Sequence, residues 1–198
     1  MPQPKIEMTA IILAGGKASR MDGADKAFLK IGQETVIDRQ SRLLKKLFEK
    51  IIIVTNSPQK YRYLKDIKII SDITPNLGPL GGIYSGLTAS SSFYNFVIAC
   101  DMPFINSRLI KYMCKNTPGY DVVVPKINDR YEPLFCIYSK SCLAYIKQLF
   151  DKKVLKISEL FSMVKVKEIT NNEVLQFASP EKIFTNINTR EDLVRFTY

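Results

Sequence analysis

Residues 9–26, TAIILAGGKASRMDGADK, decide the fold: an apolar run ends abruptly at Gly15-Gly16, and a basic, glycine-punctuated loop follows. Thr9, Ala10, Ile11, Ile12, Leu13 and Ala14 form a short continuous apolar stretch closed by a turn signal, the pattern of a strand buried on both faces. Two glycines at its end are expected to let the backbone take positive φ and bring peptide N–H groups close to a ligand with no Cβ in the way. Lys17, Arg20 and Lys26 then supply cations to the same short segment. Such a loop suits phosphate, although a surface turn with solvated charges has the same local look. The remainder of the chain has to decide between them.

Working outward, apolar strands alternate with helical patterns. Val36, Ile37, Leu43, Leu44 and Leu47 recur at helical spacing with Arg39, Arg42, Lys45 and Lys46 between them, which predicts an amphipathic helix. A buried strand follows over Ile51 to Thr55, is broken by Asn56-Ser57-Pro58, and gives way to a short polar helix through Tyr61 and Leu64. A third strand runs over 67–70 and ends at Ser71-Asp72. After the loop NLGPLGG, Ile83, Tyr84 and Leu87 open another helix, and Phe96 to Cys100 is the next buried strand, with Asp101 at its carboxyl end. Ser107 is placed as the N-cap of a helix carrying Leu109, Ile110, Met113 and Cys114. Two strands, 121–125 and 134–138, are joined by the polar turn KINDRYE. A helix over 141–150, a shorter one over 157–164 and an alternating strand at 164–169 complete the series, and Thr189 with Asp192 resembles a capping box for a last helix. Repeated β-α-β units favour a parallel sheet with helices on both faces and right-handed crossovers. The expected fold is therefore α/β: a three-layer α/β/α sandwich with a mostly parallel central sheet, of nucleotide-binding, Rossmann-like type. With no repeat or long linker, residues 1–198 are expected to form a single domain.

Composition narrows the chemistry. Twenty-nine Lys and Arg against 19 Asp and Glu leave a net charge of +10, a positive field suited to phosphorylated small molecules, polyanions or acidic partners. The lysines are scattered through every segment and not interleaved with aromatics on one face, which argues against nucleic acid. There is no histidine, and the four cysteines, at 100, 114, 136 and 142, form no C-x-x-C pair. That argues against a zinc site and against Ser-His-Asp or Cys-His catalysis. No apolar stretch approaches the roughly 18 residues of a membrane span, and the polar MPQPKIEMT start lacks a secretory layout, so the expected location is the cytoplasm.

In an open α/β sheet, ligands bind outside the carboxyl ends of the strands. The Gly15 loop, Asn56, Asp72 and Asp101 all follow apolar strands at that edge. Asp101 is the sharpest of them: between FVIAC and MPF it has no neighbouring charge, and an unpaired carboxylate is costly to desolvate. Mg²⁺, held by one or two carboxylates with substrate phosphate oxygens and water, would supply the missing charge. A cap or turn aspartate is the alternative. Asp72 admits two roles, second metal ligand or positioner of the nucleotide.

The same residues carry a family resemblance. LAGGKASRM followed by DK is similar to the signature loop of the molybdenum cofactor guanylyltransferases (MobA), and it is neither a Walker A loop nor G-x-G-x-x-G. The resemblance continues through GPLGG at 78–82, CDMPF at 100–104, EPL at 132–134 and NINTREDL at 186–193, nearly the whole chain. It implies transfer of GMP from GTP to a molybdopterin-type phosphate substrate, with Mg²⁺ as cofactor. It implies GTP binding by the residues matching Leu13, Ala14, Gly15, Lys26, Asp72 and Asp101, and Mg²⁺ binding by Asp101. Gly16 belongs to the same loop, and Arg20 and Lys26 would stabilise charge during transfer. Asn56 falls near a nucleotide-contacting family position, although the loop around it departs from the pattern. Gly78, Gly81 and Gly82 either let the backbone approach the base or ribose or simply form a tight loop. Lys126, Arg130, Asn186 and Asn188 are candidates for the pterin phosphate, and capping is an equal reading for the two asparagines. Molybdoenzymes or other proteins of cofactor biosynthesis are further implied partners. A sibling transferase using CTP or a sugar phosphate, and a noncatalytic nucleotide-binding partner in cofactor delivery, remain alternatives.

Overall fold

The structure, a computed structural model, describes residues 4–15, 20–21, 24–187 and 192, with the backbone alone at 20, 21, 24 and 25. In chain order, β1 (Ile6–Leu13) leads to two small ribbons. The first pairs β2 (Arg20–Met21) with β3 (Ala24–Asp25), and the second pairs β4 (Lys30–Ile31) with β5 (Glu34–Thr35). Then come α1 (Val36–Leu47), β6 (Phe48–Thr55), β7 (Lys68–Ser71), α2 (Gly78–Ala89), β8 (Tyr94–Ala99) and α3 (Ser107–Lys115). The remainder comprises β9 (Val122–Ile127), β10 (Arg130–Tyr131), β11 (Phe135–Ser139), α4 (Cys142–Asp151), α5 (Ser158–Phe161), β12 (Val166–Thr170), α6 (Asn171–Leu175) and α7 (Pro180–Ile183).

The main sheet runs β10-β9-β11-β8-β1-β6-β7, with β12 also paired to β9. β1 lies between two parallel neighbours, so that Ile11 faces Ile52 on one side and Val97 on the other. Alternation along these strands splits the core into two. Ala10, Ile12, Ile51, Ile53, Phe96 and Ile98 pack with Leu44 of α1 and Leu109 and Met113 of α3. Ile11, Leu13, Ile52, Val54 and Val97 pack with Leu80, Ile83 and Leu87 of α2 and Ile146 of α4. A sheet covered on both faces produces the unbroken apolar strands seen in the sequence. The three-layer, mainly parallel fold is as expected; β11, antiparallel to both β8 and β9, and the short β10, antiparallel to β9, are the reversed strands of the path.

One contact fixes the spacing of the layers. A Cβ built on Gly86 of α2 would stand 2.6 Å from Ile11 Cγ2, so the helix lies directly on the central strand. Local details differ from expectation where side chains compete for the same job. The N-cap of α3 is Asn106, not Ser107: Asn106 Oδ1 accepts from the N–H groups of Arg108 and Leu109 at 3.0 and 3.1 Å. The helix expected through Tyr61 and Leu64 is a 3₁₀ turn over Pro58–Tyr61 that buries Tyr61. The 157–164 helix contracts to Ser158–Phe161. A complete capping box stands at Thr170 and Glu173, which was not anticipated, whereas the Thr189 cap lies outside the described residues. All four cysteines are thiols, and no helix among the described residues is long and apolar enough to cross a membrane.

Candidate active site

The carboxyl ends of β1, β6, β7 and β8 open into a cleft of about 730 Å³. Its floor is set by the sheet itself. The Ala14 N–H donates to the Val54 carbonyl at 2.8 Å and the Cys100 N–H to the Leu13 carbonyl at 3.0 Å, so the three central strands end in register. Leu13, Ala14 and Gly15 therefore lie between Asn56 and Asp101, and all five residues line the cleft. Gly15 does not take the expected positive φ. Its Cβ position sits 3.6 Å from both the backbone N and the side-chain Nδ2 of Asn56, ordinary contact distance, so what glycine adds here is open room towards the cleft.

The wall beyond β7 is made by residues 72–82. Asp72, Asn76, Gly78, Pro79 and Gly82 line it, and Gly78, at φ +63°, takes the left-handed turn into α2. Asn76 shares that conformation at φ +70° and was missed from sequence, although asparagine in a loop is among the non-glycine residues that most readily take it. Asp72 Oδ1 accepts three hydrogen bonds: from the Thr74 N–H at 2.9 Å, the Thr74 hydroxyl at 3.1 Å and the Ser85 hydroxyl at 2.7 Å. This oxygen is thus occupied in fastening the loop to α2. The two readings of the glycines divide by position. Gly81 is packed against Thr74, whose Oγ1 would lie 2.8 Å from an added Cβ, while Gly78 has open space.

Asp101 is the chemically exposed point of the site. Its Oδ1 is buried with no hydrogen-bond partner among the described residues. Burial pushes its carboxyl above the usual carboxylate range, against the pull of the nearby Lys26 ammonium. An orphaned acceptor facing a polar cleft fits a divalent cation. No group of three or more His, Cys, Asp or Glu side chains that could hold a metal ion occurs among the described residues. A lone carboxylate of this kind fits Mg²⁺, whose sites are completed by substrate phosphates and water.

Lys26, in a 3₁₀ turn over Lys26–Phe28, lines the cleft, as does Asn186, whose neighbour Ile187 donates its N–H to the Asp101 carbonyl at 2.8 Å. Lys60 and Leu134 also line it and were not anticipated. Lys126 and Arg130 do not line the cleft. Lys126 pairs with Glu168 at 3.2 Å and lies 5.3 Å from the Tyr131 ring centroid, while Arg130 is exposed in β10. Gly16, Asn188 and the Arg20 side chain lie outside the described residues.

The chain is 40% identical over 191 residues to the probable molybdenum cofactor guanylyltransferase of Natranaerobius thermophilus, an alignment covering 94% of this chain and 93% of that one. It is likewise 40% identical over 196 residues to the probable molybdenum cofactor guanylyltransferase of Clostridium perfringens strain 13, covering 96% of this chain and 98% of the other. In fold it is similar to the crystal structure of molybdopterin-guanine dinucleotide biosynthesis protein A from Archaeoglobus fulgidus, with a TM-score of 0.80, 22% identity, and coverage of 95% and 96% of the two chains. The model of the MobA-like NTP transferase domain matches residues 10–165, which span the glycine loop, the 72–82 wall and Asp101, and the chain belongs to that family.

Proposed function

We propose that this protein is a molybdenum cofactor guanylyltransferase, transferring GMP from GTP to molybdenum-bound molybdopterin and yielding the guanine dinucleotide cofactor and pyrophosphate. The observation that carries the reading is its end-to-end similarity, at 40% identity, to proteins of that name. The cleft supports it: a glycine at a strand end, a lysine and a half-buried carboxylate with one unmatched oxygen converge there.

In the reaction, an oxygen of the pterin's terminal phosphate attacks the α-phosphorus of GTP. The new O–P bond forms as the bond to the β-phosphate oxygen breaks, and pyrophosphate leaves with the bonding electrons. A phosphate monoester is already largely anionic near neutral pH, its second pKa being about 6, so no protein base has to remove a proton. The absence of histidine is consistent with this. What remains for the chain is alignment and charge placement. The β1 loop receives the nucleotide where the sheet ends, the 72–82 wall bounds it laterally, and Lys26 places positive charge beside the phosphates. Asp101 would hold Mg²⁺, which when bound neutralises phosphate charge and helps the leaving group depart.

The test is pyrophosphate release from GTP, CTP, ATP and UTP with molybdopterin-type substrate and Mg²⁺. Turnover restricted to GTP is expected. Preference for CTP would place the protein with the cytidine-using siblings, and GTP binding without turnover would make it a binding partner.

A further inference from the structure

Gln40 lies on α1, away from the cleft lining, and is completely buried. Its side-chain Nε2 donates two hydrogen bonds, each 2.8 Å long, to the carbonyls of Ala99 and Met102. Those carbonyls bracket the Cys100-Asp101 pair. Ala99 closes β8, and the Met102 N–H turns back to the Ala99 carbonyl at 3.3 Å. Beside it, Arg39 Nε donates to the Pro103 carbonyl at 3.3 Å. Gln40 Oε1, in contrast, is buried with no partner among the described residues. Because both contacted atoms are carbonyls, only the NH₂ group can face them, and the amide cannot be turned to satisfy its oxygen. The side chain thus leaves one acceptor unmatched while committing both donors to the turn that carries Asp101.

We propose that Gln40 is a positioning residue for the transfer reaction: its two-pronged clamp on the 99–102 turn holds the Asp101 carboxylate at the angle from which it binds the catalytic cation. This rests on the reading of Asp101 as the metal-holding residue. A side chain that only filled the core would be replaceable by an apolar one of the same length. A clamp would not be, since removing the donors frees two carbonyls in a buried turn and lets the carboxylate swing.

The test uses Gln40→Met, which keeps length and volume but offers no donor, alone and combined with Asp101→Asn. The first readout is calorimetric: GTP affinity with and without Mg²⁺, in the absence of pterin. Gln40→Met is expected to leave metal-free GTP affinity within twofold of wild type, and to raise the half-saturating Mg²⁺ concentration about fivefold or more. On the Asp101→Asn background it should add no further Mg²⁺ effect, because coupled residues are non-additive. The second readout is turnover, expected to fall about tenfold with the KM for GTP little changed. Wild-type Mg²⁺ dependence in folded Gln40→Met, or equal losses in both backgrounds, would overturn the proposal. If Gln40→Met does not accumulate as folded protein, Gln40→Glu takes its place. Its carboxyl can offer at most one donor to the two carbonyls, so the half-saturating Mg²⁺ concentration is again expected to rise, and a Mg²⁺ dependence unchanged from wild type would overturn the proposal equally. Failure of the guanylyltransferase reading is separate: the wild type would then show no transfer, while the calorimetric arm would still report on the clamp.

Discussion

The hydroxyl of Ser85, on the buried side of α2, donates to Asp72 Oδ1 at 2.7 Å and accepts the N–H of Ile73 at 3.0 Å. A single helix residue thereby holds Asp72 and Ile73, the first two residues after β7. Ser85 is 1% exposed and does not line the cleft, so its influence on any nucleotide must pass through Asp72. Ser85→Ala removes a donor and an acceptor at once. The expected cost in stability is about 1–3 kcal/mol, by the usual penalty for unmatched buried groups. With the wall loosened, the KM for GTP should rise several-fold while kcat changes less than twofold, as steady-state kinetics would show. A fall in kcat with KM unchanged would mean that Asp72 takes part in transfer and not in seating the nucleotide.

Asp101→Asn should separate activity from stability. Loss of the carboxylate is expected to lower turnover about a hundredfold or more, comparable to removing one electrostatic stabiliser. The stability effect has the opposite sign. Burial raises the folded-state pKa of Asp101 above its unfolded value, so the folded state holds this proton more tightly. The stability contribution is fully present below the unfolded pKa and is lost as pH rises through the folded one. Asparagine carries no such charge. Urea midpoints measured without metal should therefore be higher for Asp101→Asn than for wild type at pH 8, with the gap closing towards pH 4. A variant less stable than wild type at pH 8 would contradict the unpaired burial of this carboxylate.

Glu132, in the EPL segment, extends the same argument to a group outside the cleft lining. Its carboxyl is raised to about 7 by burial. Glu132→Gln should leave stability unchanged near pH 4 and increase it progressively between about pH 4.5 and 7, the interval in which the unfolded chain loses this proton and the folded one keeps it. Thermal unfolding across that range checks it. A constant difference at every pH would indicate lost packing and not a titration.

The central layer of the fold was legible because its determinants are local. β1, β6, β7 and β8 are apolar runs, and Gly15, Asn56, Asp72 and Asp101 stand at their carboxyl ends, so strand order alone brings them to one edge. Lys126 and Arg130 do not line the cleft, and where they stand depends on how β9, β10 and β12 pair, which no single segment encodes. Gln40 and Ser85 escaped notice for a related reason. Each is a polar residue within a helical pattern, and its meaning lies in a partner 59 or 13 positions away. The glycines of α2 likewise acquire their purpose from what lies opposite. Gly86→Ala illustrates this: alanine would favour the helix by about 1 kcal/mol, yet its methyl would meet Ile11 Cγ2 at 2.6 Å and Cδ1 at 3.0 Å. Overpacking of that kind costs about 1–3 kcal/mol, and a net loss of stability is expected in urea unfolding.

Gly15→Ala is the contrasting case, and it probes the ligand instead of the fold. The added methyl would stand 3.6 Å from Asn56 N, Asn56 Nδ2 and Thr55 Cα, and no positive φ has to be strained, so stability should change by less than about 0.5 kcal/mol. Gly15 and Asn56 both line the cleft, and a methyl between them narrows the space in which a nucleotide approaches the backbone. If a purine lies against the Gly15 peptide, the methyl should reduce kcat/KM for GTP more than for CTP. A site that hydrogen-bonds particular edges of its base can discriminate by thousands of fold, because the wrong base leaves buried partners unmatched, whereas a merely roomy site gives tens of fold. Wild-type protein is expected in the first regime and Gly15→Ala closer to the second. Equal losses for the two nucleotides would instead assign Gly15 to the phosphates, which every nucleotide shares, and would move base recognition to the 72–82 wall.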